Sequence, residues 1–154
     1  MRKTIAFILF IFSILTCLIS CGKNPDAEKM LTEFISIYSV EGVVYTPERE
    51  EGDDGYITDE LFRKIYVFEG DMPEKFAILL NSHPDSFAEC GVFICSGSLE
   101  RERVVEMCTE RVRLLGRGSD VAFISISGAV VFYSTMPDKA RAEAIWNKIV
   151  RSHT

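Results

Sequence analysis

Histidine is scarce in this sequence, and its scarcity excludes much enzyme chemistry. Only His83 and His153 occur in 154 residues. His83 precedes a proline in a predicted turn, and His153 lies next to the chain end, where residues fray. A serine or thiol nucleophile needs a histidine that a third group holds in place. The sequence also lacks C-x₂-C and H-E-x-x-H spacing, so we expect no metal site and no cofactor.

Positive charge is also in short supply. The chain has 17 lysines and arginines against 23 aspartates and glutamates, a net charge of −6 at pH 7. Loss of Arg2 and Lys3 with a cleaved signal would leave 15 basic residues against 23 acidic ones, a net charge of −8. A surface of this sign repels phosphate groups. The sequence therefore predicts neither nucleic acid nor anionic lipid as an electrostatic partner.

The acidic residues crowd in one segment. Seven of them lie between Glu48 and Glu60, together with two glycines. A calcium-binding EF-hand loop does not fit: with Glu50 at its first position, Gly52 supplies no ligand at the third, and Leu61 falls where the bidentate glutamate belongs. We therefore predict a solvated acidic loop, with a weak cation site as the alternative.

The beginning of the chain is predicted to be a secretory signal. Met1-Arg2-Lys3 is followed by the uncharged segment TIAFILFIFSILTCLIS, residues 4–20, and then by polar residues. A membrane-spanning helix needs about 20 predominantly apolar residues, and this run is shorter. Two basic residues, a short apolar segment and a small-residue exit are typical of a signal peptide, which we assign to residues 1–20.

The signal ends in Leu18, Ile19, Ser20, Cys21 and Gly22, which resembles the bacterial lipobox. In that motif the peptidase recognises the residues around the cysteine and cuts just before it, after the thiol has received a diacylglycerol. Two acyl chains anchor stably, at about 0.8 kcal/mol for each buried CH₂. Cys21 is therefore the predicted lipidation site. Cys17 is the alternative, although the residues that follow it are still apolar.

Residues 21–25 would then be the lipidated cysteine and a short tether. Residues 26–154 would form a single domain, which is long enough to bury a core unaided. The lipid would hold this domain at the extracytoplasmic face of the cell membrane.

Capping residues and apolar periodicity predict four helices in this domain. The first begins at Asn24-Pro25-Asp26 and runs to about Tyr38. A short helix follows a Thr58 cap, a longer one follows a Ser98 cap, and Pro137 opens the last. The predicted inward residues of the last two helices are Val104, Val105, Cys108, Val112, Leu115, Ala142, Ile145, Trp146 and Ile149.

The remaining apolar segments predict a sheet. Strands are expected at 76–81, 88–95, 120–127 and 129–134, and the last two are joined by a turn at Ser127-Gly128. The expected fold class is α+β: N-terminal helices followed by two ββα units, which form a mostly antiparallel sheet of about four strands with helices packed on one face.

One face of that sheet would then be open. The second strand would direct Ala88, Cys90, Val92 and Ile94 toward the helices. The candidates for the open face are Glu89, Phe93, Phe123, Ser125, Val131 and Tyr133. An exposed aromatic face would be a partner surface, and the alternative is a second layer formed by the N-terminal helices.

Three cysteines follow Cys21: Cys90, Cys95 and Cys108. Cys90 and Cys95 lie five positions apart on one predicted strand, so they are too far apart to form a disulfide. We predict small buried side chains, and a bridge from Cys108 to either of the others stays open. No catalytic residue is assigned. The candidates for the enzyme alternative are Glu89, for a carboxylate hydrolase, and Cys90 or else Cys95, for a thiol-dependent enzyme.

Several segments together resemble a family of small clostridial-type lipoproteins, catalogued as domain of unknown function forty-three fifty-eight. These are the lipobox signal, GYITDELFRKIY, AECGVFIC, the charged helix that ends RVRLL, SGAVVFYS and the closing IWNKI helix. The resemblance covers most of the chain after Cys21 and implies a lipoprotein. Members carry Glu-Ile or a similar pair where this chain has Glu89-Cys90, which argues against a role for Cys90.

The sequence thus predicts a membrane-anchored bacterial lipoprotein whose domain is a non-catalytic binding or protein-interaction module. Its expected partners are the membrane, through the N-terminal lipid, and an envelope protein or a small ligand, but not nucleic acid. The alternative is an envelope enzyme, either thiol-dependent or a carboxylate hydrolase.

Overall fold

The computed structural model describes residues 24–80, 88–116 and 120–153. The predicted signal, the lipobox from Leu18 to Gly22 and the turn with His83 lie outside these ranges. No helix within them is long and apolar enough to cross a bilayer. The elements in chain order are α1 (Ala27–Tyr38), β1 (Val43–Tyr45), α2 (Asp59–Tyr66), β2 (Phe76–Leu80), β3 (Cys90–Ile94), α3 (Ser98–Leu114), β4 (Phe123–Ser127), β5 (Val130–Ser134) and α4 (Lys139–His153).

The strands form one antiparallel sheet in the order β1-β2-β3-β5-β4. The α+β class and the antiparallel pairing are therefore confirmed. The sheet has five strands and not about four, because Val43–Tyr45 pairs with β2. A strand of three residues is too short for its alternation to be recognised in a sequence, which is why the pattern does not reveal β1.

Helices cover both faces of the sheet, which corrects the predicted packing on one face. α1 and α4 pack against Cys90, Val92 and Phe132. α2 and α3 pack on the opposite face, against Phe93 and Val131. Both sides of the central strands are apolar, so both need a cover. The alternative of a second layer is thus correct for α2, and α3 completes that layer.

The expected open face is absent from the described part of the chain. Ile124 pairs with Tyr133, whereas Phe123 pairs with Ser134 and so lies on the opposite face, 5.6 Å from Phe132 between ring centroids. Ser125 pairs with Phe132 and so lies on the same face as Phe123. The prediction that Phe123 and Ser125 share a face with Tyr133 is therefore wrong, because register across a turn is not encoded in one strand's alternation. Four of the residues expected on the open face are buried: Glu89, Phe93, Val131 and Tyr133.

The helices mostly begin at or next to the capping residues that the sequence predicts. Thr58 caps α2, and its hydroxyl accepts a hydrogen bond of 3.1 Å from the Leu61 N–H. α1 is capped by Asp26 and not by Asn24. Gly97 is the N-cap of α3 and provides no side-chain hydrogen bond, while Ser98 is the first helical residue.

Candidate functional site

Glu89 is buried immediately before β3. The Glu89 N–H donates to Thr135 Oγ1 (3.0 Å), and the Thr135 N–H donates to the Glu89 carbonyl (2.9 Å). Because Glu89 precedes Cys90 on the chain, alternation directs its side chain to the face that α2 and α3 cover. Only 5% of the residue is exposed. A carboxylate at this depth needs a charged partner to keep its charge.

Arg111, on α3, is that partner. Its Nε and Nη2 donate to the two Glu89 oxygens at 2.7 Å each, and its Nη1 donates to the Ile65 carbonyl at 2.9 Å. Burial by itself would lower the pKa of Arg111, but the hydrogen bonds and negative charge of Glu89 outweigh it and raise that pKa above its ordinary value. The planar fork of arginine suits this bidentate contact. The pair joins α2, α3 and β3.

Two tyrosines extend the pair into a buried polar network. Tyr133 OH donates to Glu89 Oε1 (3.0 Å), and the hydroxyls of Tyr133 and Tyr66 are 2.9 Å apart. Burial, reinforced by the nearby Glu89 charge, raises the pKa of both phenols well above its ordinary value. Both therefore stay protonated and able to donate at neutral pH.

The hydrogen bonds of this network favour a structural role for Glu89 over a catalytic one. A general acid or base must reach a proton on its substrate, whereas both oxygens of Glu89 are already occupied by donors from Arg111 and Tyr133. Removing either Glu89 or Arg111 would leave the other as an uncompensated buried charge. The geometry therefore favours a structural role, in which this ion pair holds α2, α3 and β3 together.

The thiols are not in activating surroundings. Cys90 lies on the opposite face, in the cluster covered by α1 and α4, and Cys95 and Cys108 lie in the cluster of α2 and α3. Burial raises the pKa of Cys90 and Cys108 well above the ordinary value and that of Cys95 to about 11. A nucleophilic thiolate needs the opposite shift. All three are free thiols, so the bridge from Cys108 is not formed here.

Metal ligation has no basis in the described residues, where no group of three His, Cys, Asp or Glu side chains could hold an ion. In the acidic loop between Glu48 and Glu60, the Glu50 N–H donates to Asp53 Oδ2 (3.4 Å) and the Asp53 N–H donates to the Glu50 carbonyl (3.0 Å). This supports a turn in the loop and supplies no reason to place a cation there.

A groove of about 650 Å³ opens between the end of α2 and the outer side of α3. Tyr66 is one of the residues around the groove, and its hydroxyl lies 2.9 Å from that of Tyr133. Val67, the residue after α2, is 64% exposed and has a φ of 49°, which is unusual for a β-branched side chain. The lining residues are Tyr66, Val67, Phe68, Glu69, Gly70, Arg103, Glu106, Met107, Thr109 and Glu110.

The groove combines an apolar part with a negative rim. Three carboxylates, Glu69, Glu106 and Glu110, stand against one guanidinium, Arg103, so the lining charges sum to −2. Glu110 is already paired: Arg113 Nε donates to it at 2.8 Å, and this hydrogen bond lowers its pKa. The arrangement suits a ligand that offers both apolar and positively charged groups.

Sequence reasoning found Glu89 but missed Arg111 and the groove. α3 carries several arginines, and its sequence does not distinguish Arg111, which pairs with Glu89, from Arg103 or Arg113. The groove forms because the segment after α2 lies beside α3, a tertiary contact that no local pattern reports.

Comparison with known proteins adds no relative to this picture: the chain matches no family model, no curated protein and no solved structure. Its function must therefore be inferred from its own residues.

Proposed function

We propose that this chain is a membrane-anchored bacterial lipoprotein whose domain is a non-catalytic interaction module at the extracytoplasmic face of the cell membrane. The observation that carries the proposal is the groove beside α3, with exposed Val67 at its edge. The chemistry of the catalytic candidates supports it, since Glu89 is fully paired and burial raises the pKa values of the three thiols. Membership of the lipoprotein family named above stays a prediction.

The groove favours a protein partner. Its accessible apolar side chains, Val67 and Phe68, can contact an apolar side chain, and Glu69 and Glu106 at its rim can attract a basic one. A segment of an envelope protein that carries both kinds of side chain fits these requirements. The volume of about 650 Å³ accommodates a few side chains rather than a folded domain.

The partner can be tested by photo-cross-linking in intact cells. A photoreactive amino acid at Val67 is expected to give an adduct of discrete mass, whereas the same amino acid at Ile37, an exposed residue of α1, is not. Glu106→Lys reverses a groove charge and is expected to weaken the adduct roughly tenfold. Glu102→Lys, on the same helix but outside the groove, is the matched control.

Two outcomes would contradict the protein partner. Equal adducts from Val67 and Ile37 would show contact without a preferred surface. An adduct that Glu106→Lys and Glu102→Lys weaken equally would show that the groove charge is not recognised.

The lipid anchor is tested separately. Cys21→Ala is expected to leave an uncleaved precursor that takes up no labelled fatty acid, because the peptidase acts on the lipidated cysteine. Cys17→Ala is the matched control and is expected to be processed normally. Normal processing of Cys21→Ala would rule out this lipidation site.

A further inference from the structure

β4 is an edge strand that lacks the features by which edge strands usually avoid pairing. It forms one border of the sheet and pairs only with β5 in the described part of the chain. Its sequence, Phe-Ile-Ser-Ile-Ser, contains no charged residue, no proline and no glycine. All of its residues are half-buried or exposed, and Ile126 is 54% exposed. An uncharged edge of this kind is a template for another strand.

The opposite edge of the sheet is protected. β1 has only three residues, and the acidic loop lies beside its end. There the Thr46 N–H donates to the Gly55 carbonyl at 3.2 Å, and Thr46 forms a parallel bridge with Tyr56. A short strand and a covering loop are two ways in which proteins protect an edge. β4 has neither in the described residues, so it is the edge that a further strand can reach.

The backbone groups of Ile124 and Ile126 point away from the sheet. The Cys95 N–H donates to the Ala129 carbonyl at 2.8 Å, so the odd-numbered residues of this part of the chain bond toward β3. The even-numbered residues of β5 then bond toward β4, where they pair with odd-numbered residues. In an antiparallel pair, successive residues bond to opposite sides. The N–H and C=O groups of Ile124 and Ile126 are therefore directed outward, to the free edge.

We propose that two copies of this chain join through β4 in antiparallel order, so that the sheet continues from one copy into the other. The outward groups fix the register: Ile124 of each copy exchanges backbone hydrogen bonds with Ile126 of the other. Ser125 then lies opposite Ser125 of the other copy, on the two-fold axis of an isologous interface. This register pairs every residue of both strands, whereas a shift along the strand leaves residues at its ends unpaired.

The side chains that this register places opposite each other are complementary. Ile124 and Ile126 lie on the face that α2 and α3 cover, so each isoleucine meets an isoleucine of the other copy. On the opposite face the two Ser125 hydroxyls meet, and Phe123 meets Ser127. Pairs of β-branched side chains and pairs of hydroxyls stabilise neighbouring strands, and no charge within the strand opposes a like charge. β4 therefore fits a second copy of itself.

This arrangement is compatible with two lipid anchors in one leaflet. The two-fold axis is perpendicular to the sheet, so α1 and α4 of both copies lie on one side of it and α2 and α3 on the other. Both chains then enter α1 from the same side. A pair of short strands is a small interface, and confinement to one bilayer raises the effective concentration of the copies. This gain depends on the proposed lipid, whereas the pairing itself does not.

The register can be tested by disulfide cross-linking of the full chain in intact cells. Ser125→Cys places a thiol opposite its copy, with about 4.5 Å between Cα atoms, which a disulfide can span. Ser127→Cys is the matched control, because it lies on the same face of the same strand but roughly 13 Å from its copy. Copper phenanthroline passes the two electrons of the thiol pair to dissolved oxygen. The unsubstituted chain gives the background, since its three described thiols are buried.

Ser125→Cys is expected to form a disulfide-linked dimer roughly tenfold faster than Ser127→Cys. Addition of Ile126→Lys is expected to slow this dimer roughly fivefold, because the lysine replaces both isoleucine pairs. Ile126 is more than half exposed and its backbone does not bond to β5, so the substitution leaves the fold intact. Ile37→Lys, at an exposed position of α1, is the matched control and is expected to leave the rate unchanged.

Four other outcomes would overturn the proposal. Equal rates for Ser125→Cys and Ser127→Cys would show random collision, and no dimer from either would show that the edge stays unpaired. A dimer that Ile126→Lys and Ile37→Lys affect equally would show contact that does not use this edge. An adduct of Ser125→Cys with a different protein would show that the occupant is not a second copy. None of these results bears on the groove, whose adduct at Val67 is measured separately.

Discussion

Replacing Arg111 while keeping Glu89 is expected to cost about 3–5 kcal/mol of unfolding free energy. Arg111→Met removes two hydrogen bonds of 2.7 Å and leaves a carboxylate whose side chain is only 6% exposed. Tyr133 would be its remaining side-chain donor among the described residues. Domains of this size are stable by roughly 5–15 kcal/mol, so the variant would lose a large fraction of its stability.

The assay is urea unfolding of the fragment 22–154, followed by fluorescence of its single tryptophan. Trp146 stacks on Phe132 with 4.0 Å between ring centroids, so its emission reports loss of the core. With a urea dependence of about 2 kcal/mol/M, the midpoint is expected to fall by roughly 2 M. The double variant Glu89→Leu with Arg111→Met removes both charges and is expected to recover most of the loss.

The matched control is Lys64→Met, which breaks an ion pair between two exposed side chains. Lys64 and Glu60 are 70% and 79% exposed, so the control is expected to leave the urea midpoint nearly unchanged. If Arg111→Met costs no more than Lys64→Met, then the pair between Glu89 and Arg111 does not clamp the core, and the reasoning is refuted.

Three further predictions use the same fragment. Gly91→Ala is expected to lower the free energy of unfolding by about 1–3 kcal/mol, because an added Cβ would lie 2.7 Å from Tyr133 Cε1 and 2.9 Å from Ile78 Cγ2. The control in the same urea titration is Gly97→Ser, whose Cβ meets nothing within 4 Å. Equal losses from the two variants would contradict the claim that Gly91 is crowded. The free energy of unfolding is expected to fall above about pH 10, by ~1.4 kcal/mol per pH unit for each of Tyr66 and Tyr133. Their raised pKa values keep both phenols protonated in the folded chain, whereas the unfolded chain releases those protons. A free energy of unfolding that stays constant up to about pH 12 would show that these phenols are not buried. A maleimide is expected to label the folded fragment slowly at neutral pH and three thiols per chain after unfolding, and fast labelling of the folded fragment would contradict the raised thiol pKa values.

Much of the local structure could be predicted because the responsible signals are local. Thr58 caps a helix through its own hydroxyl. Gly128, with a φ of 58°, allows the two-residue turn between β4 and β5, which is Gly128-Ala129 and so begins one residue later than the predicted Ser127-Gly128. The inward residues of α4 are also confirmed, since 3.6-residue periodicity marks a buried stripe: Ala142, Ile145, Trp146 and Ile149.

The arrangement of layers could not be predicted, because a buried stripe does not say which face of a sheet it meets. α3 shows the difficulty most clearly. Its predicted stripe includes Val104 and Cys108, which are buried, but it omits Met107 and includes Leu115, which lies past the end of the helix. The sequence does not mark Arg111 among the charged residues of α3, yet Arg111 pairs with the buried Glu89. Whether such a residue faces the sheet or the solvent is decided by tertiary contacts alone.

α1 and α4, the first and last helices of the domain, bind each other through residues that lie far apart in the sequence. Tyr38 bonds to a residue 100 positions later, and Glu33 meets His153, 120 positions later. The core under α1 therefore stays open until the 15 residues of α4 have been synthesised. A chain that emerges N-terminus first therefore cannot complete this core before its last helix is available.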